Sequence, residues 1–346
     1  QSFIGNRNLS GNLVAQGRSR FTDDQHRTQL EWTNFIKNGV GRLKLAHLYE
    51  GFKYFENKDS DSFSEGEVTT LLARYAVDLE LSNAFRINSY LEYTNYSARG
   101  SNFDAPQRND AAVTAVLKHT INNKARYNFS LRQDISSDFS APLVFSWDGS
   151  YDFSKKYQLQ LNGSRNFRMP TFNDLYWSPG GNLDLVPEQS YQLDLGHSFQ
   201  FNELSFNLNT YYIRTENMIR WLPNTSGFWS PNNVDEVQIY GLESEVSFKK
   251  SIGKNQVIRF NANYAYTVSE DKASGEQLIY VPFHRGNLSI AYSIAKLNMF
   301  YQHLYNGQVS IIGGELEGYQ VANTGINYTF STKHKLEYRI GITLSL

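Results

Sequence analysis

Four large aromatic side chains, Trp177, Trp221, Phe228 and Trp229, stand in or beside polar stretches of the chain. Flat rings so placed suit the holding of a large, semi-rigid ligand, with a few polar groups to set its orientation. They are the candidate ligand-binding residues, although rings that cap loops or join an interfacial aromatic belt would look the same in sequence. Covalent chemistry has no comparable support. The 346 residues contain no cysteine, no Gly-x-Ser-x-Gly elbow and no phosphate-binding Walker loop, so no catalytic residue is assigned and no enzyme is expected. The seven histidines, His47, His119, His197, His284 and His303 among them, are scattered without metal-ligand spacing and read as interface or lumen residues. The acidic run from Asp59 to Glu67 has oxygen ligands suited to calcium but not the EF-hand spacing, and reads better as solvated charge. Neither a metal nor a cofactor is expected.

These residues must be positioned by strands. Residues 257–267 put Ile258, Phe260, Ala262, Tyr264 and Tyr266 on one face, with Arg259, Asn261 and Asn263 on the other. Leu204, Phe206, Leu208 and Tyr212 oppose Ser205, Asn207 and Asn209, and the stretch 336–346 alternates in the same way. Alternation with period two is the mark of a sheet that has one apolar face. No helical stripe of comparable strength is present. Counting the runs gives about 17 strands, many near the roughly 9–11 residues that cross a bilayer at a tilt.

Alternation alone would also suit a soluble sandwich, and the connections separate the two. Tight turns fall near Lys37–Gly41, Ser82–Ala84, Ile121–Lys124, Ser154–Lys156, Asn202–Glu203, Ser251–Asn255, Ala295–Lys296 and Thr332–Lys333. Longer polar loops fall between them, near 18–27, 56–68, 97–109, 134–142, 168–190, 222–238, 268–282 and 306–318. One rim of tight turns and one rim of long loops is the signature of an up-and-down membrane barrel. Tyr and Phe recur near strand ends, as at Tyr151, Phe153 and Tyr157, where interfacial girdles sit. No apolar run is long enough for a membrane helix, so any crossing is made by strands. With Lys+Arg 33 against Asp+Glu 34, the chain has no basic footprint for nucleic acid. The opening Gln1–Gly5 has none of the parts of a secretory signal, so export would be directed by sequence upstream. The parity of the strands, starting at the tight-turn rim and ending at the long-loop rim, is odd, whereas bacterial barrels close on even numbers.

The most specific stretch runs Asn166-Phe167-Arg168-Met169-Pro170-Thr171-Phe172-Asn173-Asp174-Leu175-Tyr176-Trp177, then Gly181-Asn182-Leu183-Asp184-Leu185-Val186-Pro187-Glu188. It resembles the barrel signature of TonB-dependent outer-membrane receptors, with Leu183 where that family usually has proline. In physical terms a strand ends at Phe167, Pro170 stops its ladder, and Gly180-Gly181 supply turn conformations. The resemblance continues through Tyr211–Trp221 and Tyr240–Glu245. It implies an all-β, transmembrane, antiparallel up-and-down β-barrel of about 22 strands around a plugged lumen, of which residues 1–346 would be an incomplete part. The N-terminal plug domain and the terminal strands would then lie outside this sequence. It further implies residence in a Gram-negative outer membrane, contact with the bilayer, and coupling to the TonB complex through the missing N-terminal region. Met218-Ile219-Arg220-Trp221 followed by Gly227-Phe228-Trp229-Ser230-Pro231-Asn232-Asn233-Val234 is similar to the cobalamin-receptor branch. The implied function is import of a scarce chelate, vitamin B12 (cobalamin) first, with a ferric siderophore or a passive porin-like channel as alternatives.

Overall fold

A computed structural model describes residues 19–102, 105–223, 227–331 and 334–345. In chain order the first half forms β1 (Arg20–Ile36), β2 (Gly39–Phe55), β3 (Ser64–Glu80), β4 (Phe85–Gly100), β5 (Gln107–Thr120), β6 (Ala125–Ser136), β7 (Val144–Ser154) and β8 (Tyr157–Arg168). A single-turn helix, α1 (Phe172–Tyr176), precedes β9 (Glu188–Gln200), β10 (Leu204–Pro223), β11 (Trp229–Ile252) and β12 (Gln256–Asp271). The remainder comprises a two-residue β13 (Glu276–Gln277), β14 (His284–Ile294), β15 (Leu297–Asn306), a small loop hairpin of β16 (Val309–Ile311) and β17 (Gly314–Leu316), β18 (Tyr319–Ser331) and β19 (His334–Ser345).

All but β16 and β17 join one 17-stranded sheet. Each long strand pairs antiparallel with the next in sequence, from β1–β2 through β18–β19. This is the up-and-down order that the alternating connections predict. The tight turns fall where expected; Asn38 and Ala295 take positive φ there, at 59° and 50°. The turn at Thr332–Lys333 lies outside the described residues, as does the stretch before β1 in which an expected first strand starting at the tight-turn rim would fall.

Register explains the two faces. Across the first strands Leu30, Leu45, Ala73, Tyr93, Ala111 and Ile135 stand side by side on one face. Further round, Leu204, Phe248, Phe260, Ile290, Tyr301, Thr324 and Ile340 continue such a row on the same face. Most of these large apolar side chains are exposed. The opposite face has Ser198, Asn207, Glu245, Asn263 and Asn287 in lateral register. It also has ion pairs from Arg132 to Asp134 at 2.7 Å and to Glu92 at 3.3 Å. An inside-out wall, apolar outward and hydrogen-bonded inward, is stable where the outer solvent is hydrocarbon, because a soluble protein would leave that apolar area in water. All six histidines with described side chains, His26, His47, His119, His197, His284 and His303, lie on the apolar outer face. Three of them take a tyrosine hydroxyl at Nδ1, at 2.8–3.0 Å. They therefore stand on the outer wall and do not line the lumen.

Two loop expectations are corrected. Residues 20–27, expected in a loop, belong to β1, and the 222–238 loop is mostly strand, with β10 running to Pro223 and β11 starting at Trp229. Above the membrane both faces of a strand meet water, so hydropathy stops alternating while the ladder continues. Strands of up to 24 residues result.

Candidate functional site

The connection from β8 to β9 folds back over the polar face instead of standing out in solvent. Its one helical turn follows from local chemistry. The Thr171 hydroxyl accepts from the Asp174 backbone N–H at 3.1 Å, and the Asp174 carboxylate accepts from the Thr171 backbone N–H at 2.9 Å. This reciprocal capping box was legible as Thr171-x-x-Asp174, although the residues are too few to give a helical stripe.

Asp174 is 6% exposed and also accepts from the indole N–H of Trp221 at 2.9 Å. Arg168 lies 3.7 Å from the same carboxylate and makes a two-pronged contact with Glu188 at 2.8 and 2.9 Å. Bonding to Glu188 raises the Arg168 pKa further above its ordinary value, against the opposing effect of burial. Glu188 in turn accepts from the Ile219 backbone at 3.0 Å. Leu175, Leu185 and Ile219 form a small buried cluster beneath the loop, with Phe139 packed against it.

Both flanks of the barrel mouth hold this loop. On one side Arg108 donates to the Pro170 carbonyl at 2.8 Å, pairs with Asp138 at 3.2 Å, and lies between the rings of Phe139 and Phe172 at 5.3 and 5.1 Å. On the other side Asn182 donates to the Pro231 carbonyl, and Asn233 exchanges two hydrogen bonds with the Val186 backbone. Gly180 lies in a turn, as expected, but neither it nor Gly181 takes a positive φ. A Cβ on Gly181 would stand 2.6 Å from the Leu175 carbonyl oxygen and 2.7 Å from the Trp177 nitrogen, and one on Gly180 would run into the Trp229 carbonyl. Glycine is needed here for close approach of backbone to backbone.

The loop and the inner wall of β1–β4 border an open cavity of about 450 Å³. Phe21 and Phe52, stacked with centroids 5.4 Å apart, line one side, and Phe172 and Trp177 line the other. Asp23 and Glu50 are its acidic wall residues. Of the four candidate rings, Trp177 reaches this cavity, Trp221 braces the loop through Asp174, and Phe228 and Trp229 are exposed at 58% and 48% on the β10–β11 hairpin. Arg108, Phe21 and Phe52 had no signal in the sequence, since only the strand register brings them to the mouth. In the acidic run, Glu65 pairs with Lys53 at 3.8 Å and Glu67 accepts from Tyr49 at 3.1 Å.

A sheet that is apolar outside and polar inside, with a folded loop across one mouth and a ring-lined recess beside it, defines a large transmembrane β-barrel. The chain belongs to the family described as TonB dependent receptor-like, beta-barrel, whose model matches residues 2–345. It is similar to the vitamin B12 transporter BtuB of Photobacterium profundum, 24% identical over 261 residues that cover 73% of this chain and 42% of that protein. Among solved structures it resembles the siderophore receptor PirA from Acinetobacter baumannii, with a TM-score of 0.75 at 14% identity, covering 96% of this chain and 59% of that one. The copper transporter OprC is similar at a TM-score of 0.74 and 14% identity, covering 94% and 58%. These structural likenesses concern the fold. The chain spans about two fifths of the length of the first curated relative it matches.

Proposed function

We propose that this chain is the barrel wall of an energised importer in a Gram-negative outer membrane, which takes up a scarce chelate in a TonB-coupled cycle, and that the chelate is a cobalamin. The observation that carries the reading is the mouth cavity, because a recess walled by four aromatic rings and braced on both flanks suits a large rigid ligand entering from outside. Trp177 is the proposed platform inside the cavity. Phe228 and Trp229 are proposed as the first contacts on the exposed hairpin, and Trp221 holds the loop in place. Similarity to vitamin B12 transporters supports cobalamin over other chelates.

Calorimetry on the full chain in detergent, with cyanocobalamin and then a panel of ferric siderophores, tests this. Saturable cobalamin binding, weakened by Trp177→Ala, is the expected result. A response to an iron chelate alone would keep the importer and replace its substrate. Ohmic conductance in planar bilayers without saturable binding of any chelate would instead mark a passive channel.

A further inference from the structure

The charge of the mouth cavity restricts what it can hold. Its lining contains carboxylates and no lysine, arginine or histidine. Glu50 is neutralised by Arg27 at 2.9 Å, whereas Asp23 has no ion-pair partner among the described residues. Glu67 touches the cavity only from behind, since the register turns its side chain to the outer face, where it accepts from the Tyr49 hydroxyl at 3.1 Å. The guanidiniums nearest the mouth loop are already engaged, Arg168 by Glu188 and Arg108 by Asp138 and two rings. Among the described residues, no free cation of the cavity wall is therefore available to receive an anionic ligand.

We infer that this cavity selects a neutral or cationic face of a rigid chelate and disfavours polyanionic ones. The inference rests on the importer reading above and narrows its substrate class. Its physical basis has two parts. A multiply negative complex entering beside Asp23 meets like charge in a recess where screening is weaker than in bulk water. A positive or hydrogen-bond-donating face gains from the same carboxylate, and a cation gains further from the negative faces of Phe21, Phe52, Phe172 and Trp177. The cavity thus has the arrangement of an aromatic cage closed by a carboxylate. Bare iron charge does not decide selection here; the net charge of the whole complex does.

The experiment titrates three probes into the full chain in detergent at low and at moderate salt: cyanocobalamin, a singly cationic ferric trihydroxamate and a triply anionic ferric tris-catecholate. The expected result is that the trianion binds at least tenfold more weakly than the cationic probe, with the gap shrinking as salt rises. Asp23→Lys should close or reverse the gap, and Phe52→Ala should weaken the cationic and neutral probes. Asp23 is exposed, and retention of the folded barrel by each variant is checked by heat-modifiable gel mobility. Binding of the trianion as tightly as the cation in the unaltered protein, or an unchanged ratio in Asp23→Lys, would overturn the charge selection and leave the importer standing. Silence of all three probes together with absence of energy-dependent uptake would overturn both.

Discussion

Replacing Asp174 by Asn should release the mouth loop without unfolding the barrel. The carboxylate is 6% exposed and accepts from the Thr171 backbone at 2.9 Å, from the Thr171 hydroxyl at 2.8 Å and from the Trp221 indole at 2.9 Å. An amide keeps one accepting oxygen but points an NH₂ group at a donor, so at least one buried N–H loses its partner. Leaving such a group unsatisfied costs about 1–3 kcal/mol, and loss of the charge-assisted character of the remaining bonds adds about 1 kcal/mol. Arg168 retains Glu188, which limits the electrostatic part. A local cost of about 2–4 kcal/mol corresponds to a rise of roughly 30- to 800-fold in the population of the open loop. Native-state hydrogen exchange reads this directly. The Asn182 amide, bonded to the Asp174 carbonyl at 2.8 Å, and the Leu175 amide, bonded to Thr171 at 3.1 Å, should lose protection by that factor. Amides in the middle of β12 should not change. Protection at Asn182 within threefold of the unaltered protein would refute the view that Asp174 is the keystone of the loop.

Other perturbations test separate parts of the structure. Phe260→Arg places a charge on the outer face between Phe248 and Ile290, and should cost about 2–4 kcal/mol in folding titrations in lipid; a negligible change would mean that the faces or the depth are misassigned. Gly181→Ala forces a Cβ against the Leu175 carbonyl and should cost about 1–3 kcal/mol locally, shifting the emission of Trp177, while Gly227→Ala, at φ 81° with open space around it, should leave Trp177 unmoved. The Glu236 carboxyl is held below its usual pKa by the side-chain hydrogen bond from Gln238 and then by the charge of Arg214. A depressed folded pKa stabilises above the ordinary carboxylate value and stops doing so as pH falls through the folded value. Protease resistance of the exposed β10–β11 hairpin should therefore be full at neutral pH and fall in acid below about pH 4, and Glu236→Ala should flatten that dependence.

The strands were legible because the two solvents on either side of the wall write a period of two into the chain. Ile258, Phe260 and Tyr264 announce the outer face as plainly as Arg259 and Asn261 announce the inner one. Legibility ended where the solvents became the same. Arg20–Arg27 and the outer part of β10–β11 are strand with water on both sides, and their sequences read as loop. The family resemblance likewise came from a loop, Phe167–Glu188, whose prolines, glycines and capping residues are determined by backbone geometry.

The site divides along the same line. Trp177 and the capping residues Thr171 and Asp174 are close in sequence, so their association is written locally. The arch itself depends on Trp221, Arg108 and Asn233, which lie 47, 66 and 59 residues from Asp174, farther than any short motif reaches, and which the strand register alone carries to one rim. The opposite cavity wall, Phe21, Asp23 and Phe52, comes from β1 and β2, seven and six strands from β8 along the ladder. From the sequence alone came the alternation, the turn pattern and the identity of the outer face, since these follow from short-range spacing and solvent. Which rings meet and which tryptophan braces the loop were decided by the curvature and register of the sheet, because only a curved wall brings distant strand ends within reach of one loop.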